Sequence, residues 1–309
     1  MTARTAPDGY VSKVSRPPDF DDFWQDVMAQ ASAIPLEPEA VLDPLRSSHD
    51  VQVYEVFYNS LDRVRIAGWY CLPRERPPKL PAILQVPGYQ AEPSIPKNWA
   101  KKGYAAFSAA PRGKLRSNRQ FNPGYPGLLT YSIVDRNTYS YRGFYVDALR
   151  AVDFLLSRDE VDRERIGVTG SSQGGGLTIT TAAMRPEVAA ASAGAPYLCG
   201  LMDAIELTHT YPYQEINDYL NLYPEHRVKV GESLAYFDGI NFAERIRCPI
   251  IVNVGLQDNV CPPETGYALF SQIGSNDKRL YPYDGHGHDA GQREHSAIVD
   301  QFFRKHLQS

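Results

Sequence analysis

The sequence predicts an α/β fold on a mostly parallel sheet, and three observations carry that prediction. Short β-rich runs at residues 81–86, 104–108, 166–169, 188–193 and 249–254 alternate with helix-compatible stretches, the order that produces βαβ units. The run at 81–86 is nearly continuously apolar, as a central parallel strand covered on both faces must be. Ahead of it, residues 51–58 and 63–70 read as a hairpin turning at Ser60-Leu61-Asp62, which is how antiparallel edge strands join such a sheet.

Length and composition set the frame. The chain has 309 residues, 43% apolar and 22% charged, an ordinary soluble globular composition with enough length to bury a large core. We expect one domain over residues 1–309, with a helix and hairpin extension over about 1–75 and a helical lid insertion over about 196–247. Lys plus Arg total 32 against 36 Asp plus Glu, a net charge of −4. That balance leaves no electrostatic footprint for nucleic acid or an anionic membrane, so a small, weakly charged substrate fits better. No run approaches the ~18 apolar residues of a membrane helix, and residues 1–8 lack a signal-peptide core, so the expected location is the cytoplasm. Cys71, Cys199, Cys248 and Cys261 stand far apart and are expected as free thiols.

Taken in order, residues 20–31 put Phe20, Phe23, Trp24, Val27, Met28 and Ala31 on one helical face behind an acidic first turn, a packing helix without chemistry. Residues 35–44 read as a linker. The strand at 81–86 ends at Pro87-Gly88-Tyr89-Gln90, and a helix near 96–102, the strand at 104–108 and the loop Pro111-Arg112-Gly113-Lys114 follow. Residues 118–131, rich in glycine, proline and aromatics, read as a long surface or subunit-contacting loop. Phe144, Ala148, Ala151, Val152 and Leu155 then share a helix face. Between 196 and 248 the chain is longer than a direct crossover needs, and its helical patterning suits a cover over the carboxyl ends of the strands. The last units are the strand at 249–254, a helix at 264–273, a strand at 279–281 and a helix over 292–307.

Gly170-Ser171-Ser172-Gln173-Gly174 lies between the run ending at Thr169 and a helix-compatible stretch. A strand, a glycine-flanked serine and a helix form the setting of a nucleophile elbow, where the serine takes a strained backbone and side chains at 170 or 174 would strike the neighbouring strand and helix. Ser172 is therefore the candidate nucleophile; the plainer alternative is a turn without chemistry. A serine hydroxyl needs an imidazole to take its proton and a carboxylate to orient that imidazole. On an α/β-hydrolase sheet they follow in the order Ser, Asp or Glu, His.

Asp258 comes directly after the strand that ends at Gly255, whereas Asp238 and Asp277 end no apolar strand. A turn-forming or capping role is the alternative for Asp258. Of the seven histidines, only His286 and His288 follow the last strand outside a helix. A His-x-His pair could ligate zinc, but no supporting ligand motif accompanies it, and neither metal nor cofactor is expected. The backbone N–H groups of Gln173, at the helix start, and of Tyr89, in the loop after an earlier strand, are the expected oxyanion donors. Tyr89 could equally be a pocket wall.

With these residues assembled, the chain resembles the acetyl xylan esterase and cephalosporin C deacetylase family of carbohydrate esterases. The likeness runs through Pro18-Asp19-Phe20-Asp21-Asp22-Phe23-Trp24, Gly88-Tyr89, Arg112-Gly113, the elbow with Gln173 after its serine, the run at 236–243, and Gly255-Leu256-Gln257-Asp258-Asn259-Val260-Cys261-Pro262-Pro263. The resemblance implies an intracellular, ring-like hexamer that removes acetyl groups from small acetylated sugars such as xylo-oligosaccharides, or from cephalosporin C. It implies Ser172 as nucleophile, Asp258 as acid, and Tyr89 and Gln173 as oxyanion donors. Two departures stand out. The family's Arg-Gly-Gln reads Arg112-Gly113-Lys114, placing a cation where a neutral amide is usual. The family's His-Glu is also altered: His288-Asp289 keeps an acidic neighbour, and His286 keeps the distance from the strand. His288 is preferred as base, with His286 the alternative.

The leading reading is a serine esterase for short acyl groups. Another acyl hydrolase on the same fold, a peptidase or lactonase, is the second, since a fold does not fix function. A non-catalytic assembly protein that kept the scaffold is the third.

Overall fold

The computed structural model describes residues 6–308, with Gln292 described in its backbone only. Residues 1–5 of the leader, read above as lacking a signal-peptide core, lie outside them. Nine strands, β1 (Glu39–Leu42), β2 (Val51–Asn59), β3 (Arg65–Pro73), β4 (Leu80–Gln85), β5 (Ala105–Ala110), β6 (Val161–Ser171), β7 (Val188–Gly194), β8 (Ile250–Gly255) and β9 (Lys278–Tyr283), form one sheet ordered β1-β2-β3-β5-β4-β6-β7-β8-β9. From β5 to β9 every neighbouring pair is parallel, and β1, β2 and β3 add antiparallel pairs at one edge. This is the mixed sheet that the apolar run and the hairpin predict.

Alternation along the strands divides the core between the two faces. Ala82 and Leu84 of β4 join the main cluster with Phe144, Val152 and Leu177 of the helices Ser140–Leu156 and Gln173–Met184. Ile83, between them, faces the other way and packs with Ala190, Phe303 and Leu307 of the terminal helix Gln292–Leu307. Helices therefore cover both faces.

The Phe20–Ser32 helix buries Phe20, Phe23, Trp24, Val27 and Ala31, all but one of the expected face; Met28 is only half-buried. It packs on the chain that follows β7 as well as on the body of the fold. The Trp24 indole N–H donates to the carbonyl of Tyr236 at 2.8 Å, and the ring stacks on Tyr145 at 5.9 Å. Between β7 and β8, helices at Leu201–Leu207, Gln214–Leu222, Arg227–Leu234 and Ile240–Ala243 form the helical insertion.

Two expectations need correction. Residues 35–44 are not only a linker, because Glu39–Leu42 pairs with β2 from Glu39↔Phe57 to Leu42↔Tyr54. Three of its four residues are exposed, so this edge strand has no buried face to impose the alternation by which strands are recognised. The stretch 118–131 does not run on the surface throughout. Leu128 and Leu129 are fully buried, and the Tyr125 ring meets Tyr89 edge-on at 4.8 Å.

Candidate active site

Ser172 ends the β6 turn at φ +59° and ψ −123°, a region that costs a non-glycine residue of order 1–3 kcal/mol. Its neighbours leave no other path. A Cβ at Gly170 would stand 2.7 Å from the Gly174 backbone, and one at Gly174 would stand 2.3 Å from the Val86 carbonyl oxygen. The turn is clamped by the Ser172 N–H, which donates to the Gly194 carbonyl at 2.9 Å, and by the Ser172 carbonyl, which accepts from Tyr197 N–H at 3.0 Å and Gly176 N–H at 3.1 Å.

Asp258 follows β8 and is 3% exposed. Its Oδ1 accepts from the N–H groups of Val260 at 2.8 Å and Cys261 at 2.9 Å, so the carboxylate shapes its own turn. Its Oδ2 lies 2.9 Å from His288 Nδ1, which leaves Nε2 as the outward ring nitrogen. His286 turns elsewhere: its Nδ1 is 2.7 Å from Asp289 Oδ2, and that hydrogen bond raises the imidazole pKa while lowering the carboxylate's. The structure thus brings Asp258 and His288 together and places His286 in a separate exposed pair.

Cys261 joins them, a residue that sequence reasoning expected only as a free thiol. Its Sγ and one donor atom each of Asp258 and His288 lie within 4.8 Å of one another, and the Ser172 side chain is near enough to act on the thiol's pKa, lowering it slightly against the larger effect of burial. Its three-residue spacing from Asp258 was the available signal. Three such donors could in principle hold a cation. Burial and the neighbouring Asp258 keep the thiol pKa well above the ordinary range, so as it stands the sulfur is a protonated, poor ligand.

Tyr89 and Gln173 flank the elbow. Neither N–H enters a turn, loop or cap backbone bond among the described residues, as an anion-binding pair requires. The Gln173 side chain is fully buried; its Oε1 accepts from Tyr141 hydroxyl at 2.7 Å and its Nε2 donates to the Gly88 carbonyl at 3.3 Å. The Tyr89 hydroxyl donates to Glu215 Oε1 at 2.5 Å, and Glu215 Oε2 accepts from Gly127 N–H at 2.9 Å. An insertion residue therefore braces both loops.

Lys114 is 1% exposed. Its Nζ donates to the carbonyls of Tyr89 at 2.7 Å and Ala91 at 2.9 Å, and desolvation lowers its pKa to about 8. Beside it, Arg112 donates from its backbone N–H, Nε and Nη2 to the Asp147 carboxylate at 2.8, 2.8 and 2.9 Å. The rejected acids serve elsewhere. Asp238 is buried and accepts from Gly200, Leu201 and Ile240 N–H groups, and burial lifts its pKa to about 6. Asp277 is exposed near His306. All four cysteines are free, and only Cys248 is not fully buried.

Such a sheet, with a strained serine elbow after one strand and an aspartate–histidine pair on the loops after two later ones, defines an α/β-hydrolase. The chain belongs to the acetyl xylan esterase (AXE1) family, whose profile matches residues 7–306. Among solved structures it is similar to the acetyl xylan esterase from Paenibacillus sp. R4, at 32% identity and TM-score 0.89 over 97% of this chain and 98% of that one. Acetyl xylan esterase 1 of a Thermoanaerobacterium species superposes with TM-score 0.89 at 27% identity, covering 97% of each chain. Acetyl esterase Axe7A of Xylanibacter ruminicola is 30% identical over 269 residues; these are 83% of this chain but 60% of that protein, so the chain spans less than two thirds of that relative.

Proposed function

We propose that the chain is a serine esterase that removes acetyl and other short acyl groups from small acetylated sugars such as xylo-oligosaccharides, with cephalosporin C a further substrate of the same chemistry. One observation carries the reading: the buried Asp258 carboxylate bonds His288 Nδ1 at 2.9 Å beside the elbow that presents Ser172. Ser172 Oγ attacks the ester carbonyl carbon while His288 Nε2 takes its proton, and Asp258 stabilises the imidazolium. The N–H groups of Tyr89 and Gln173 receive the oxyanion. The intermediate collapses, the sugar alcohol leaves with the proton from His288, and water attacks the acyl-enzyme by the same route in reverse. The names of the relatives support acetyl as the acyl group, and the side chains invoked require no cofactor.

A small ester suits the chain better than a nucleic acid, since a net charge of −4 offers no overall cationic surface; no helix among the described residues is long and apolar enough to cross a membrane. Four unpaired cysteines favour a reducing, cytoplasmic setting. We read residues 1–309 as one domain whose 196–247 insertion acts as a lid, a role supported by the Glu215 contacts to the Tyr89 and Gly127 loops. A homo-oligomer, hexameric by the family resemblance, is supported by Leu222 and Val228, apolar yet 75% and 71% exposed.

The test is a stopped-flow burst of p-nitrophenol from p-nitrophenyl acetate. The wild type should release about one equivalent per active site before steady state, and Ser172→Ala should lose turnover by about 10⁶-fold. Unchanged turnover in that variant would end the proposal.

A further inference from the structure

A cavity of about 710 Å³, within the range of small-ligand sites, lies behind the elbow. Gly170, Ser171 and Gly88 line it, but Ser172, Asp258 and His288 do not. Its floor is the sheet itself. On five adjacent strands, a residue near the carboxyl end on the face carrying Ile83 is polar: Ser108, Gln85, Thr169, Ser192 and Asn253.

Four of these residues share one level, and Asn253 stands one step beyond it. Gln85 pairs with Ser108 on one side and Thr169 on the other, and Thr169 pairs with Ser192. Asn253 lies two residues beyond Ile251, the partner of Ser192. One step earlier on this face stand Ala106, Ile83, Gly167 and Ala190, and Phe303 and Leu307 pack against Ile83, Gly167 and Ala190. Close packing against helices supplies no reason for five covered strands to turn polar together, since a buried hydroxyl without a partner is costly.

Few of these groups have protein partners; Gln85 Nε2 donates to Ser94 Oγ at 3.2 Å. The hydroxyls of Ser108, Thr169, Ser171 and Ser192 take part in no hydrogen bond with a described residue. Asn253 Nδ2 donates to the Ala290 carbonyl at 2.7 Å, while its Oδ1 sits with Ser171 Oγ over Gly194, each 3.2 Å from where a Cβ would stand. His295, 3% exposed, shares Nδ1 with the Tyr283 hydroxyl at 2.9 Å, and its Nε2 is buried without a partner.

We propose that this cavity is a binding site, separate from the ester site, for a small neutral polyhydroxylated molecule such as a monosaccharide or polyol. Hydroxyls on the floor both donate and accept, Asn253 Oδ1 accepts, and the imidazole edge adds one more directed contact, which together match alternating hydroxyls on a ring. Charged groups in the wall are already engaged. Lys102 pairs with Asp300 at 2.6 Å, Asp289 with His286 at 2.7 Å, and Glu92 accepts from Leu115 N–H at 2.8 Å. Burial lowers the His295 pKa to about 4, so at neutral pH the ring is uncharged and suits an uncharged ligand.

The experiment is a titration of D-xylose and D-glucose, followed by ligand-observed NMR, with tetrahydropyran as the ring without hydroxyls. It is run on the wild type, Ser172→Ala, Thr169→Val and Ser192→Ala, beside a structure of wild-type crystals soaked in D-xylose. At least one sugar should bind the wild type and Ser172→Ala equally. Tetrahydropyran should not bind, and Thr169→Val should weaken the sugar by about tenfold, the loss of one good hydrogen bond. Density should show the ring against Thr169, Ser192 and His295. Water alone in the soaked cavity overturns the proposal, as does tetrahydropyran binding equal to the sugars' or sugar found only at Ser172. The binding readout needs no turnover, so it stands or falls apart from the esterase reading, and the soaked wild type decides if a variant does not fold.

Discussion

His288 and His286 stand two residues apart, yet their Nδ1 atoms face different carboxylates, Asp258 and Asp289. If Asp258 orients the working base, His288→Ala should lower kcat/KM on p-nitrophenyl acetate by at least about 10⁴-fold, while His286→Ala should cost less than about tenfold. The reverse order would assign the base to His286. Lys114 offers a second test at this scale. Its folded pKa of about 8 lies below the 10.5 of a free lysine, so between those values the unfolded chain binds a proton that the folded chain has released. Stability from this group therefore rises with pH across that window and is lowest below it. Denaturant titrations should show wild type gaining on Lys114→Gln by up to about 3 kcal/mol between pH 8 and pH 10.5. A pH-independent difference would mean that Lys114 keeps an ordinary pKa.

Among the elements, the loop after β5 is tied to the Ser140–Leu156 helix by the buried Arg112–Asp147 pair, and the loop after β4 hangs on Lys114. Removing one partner of a buried pair leaves the other charge uncompensated. Asp147→Ala should therefore destabilise by about 3–5 kcal/mol in urea unfolding, and a change below about 1 kcal/mol would show that water reaches Arg112. At the elbow, a Gly174 Cβ would meet the Val86 carbonyl at 2.3 Å. Gly174→Ala must shift the turn, so kcat should fall far more than KM rises, because displaced oxyanion donors are felt in the transition state.

At the scale of the whole molecule, sedimentation should give a mass several times the 34.6 kDa of one chain, six times if the family's ring is kept. A monomer at micromolar concentration would remove that reading. The insertion joins distant parts of the fold at this scale: Glu215 reaches the Tyr89 loop, and the Phe20–Ser32 helix hangs on Tyr236 through Trp24.

Local chemistry was open to reading from the chain alone. The apolar run at 81–86, the helical spacing from Phe20 to Ala31 and the glycines at 170 and 174 each express a constraint acting within a few residues, so the sheet, the packing helix and the elbow followed from them. The edge strand at Glu39–Leu42 did not, because its exposed residues carry no alternation. Neither did the burial of Leu128 and Leu129, which depends on contacts made far along the chain. Cys261 beside Ser172, Glu215 under Tyr89, and the level shared by Ser108, Gln85, Thr169 and Ser192 arise only when separate strands and loops come into register. The choice between His286 and His288 belongs with them: two residues of separation is a trivial difference along a loop, but in space it decides which imidazole reaches the buried carboxylate.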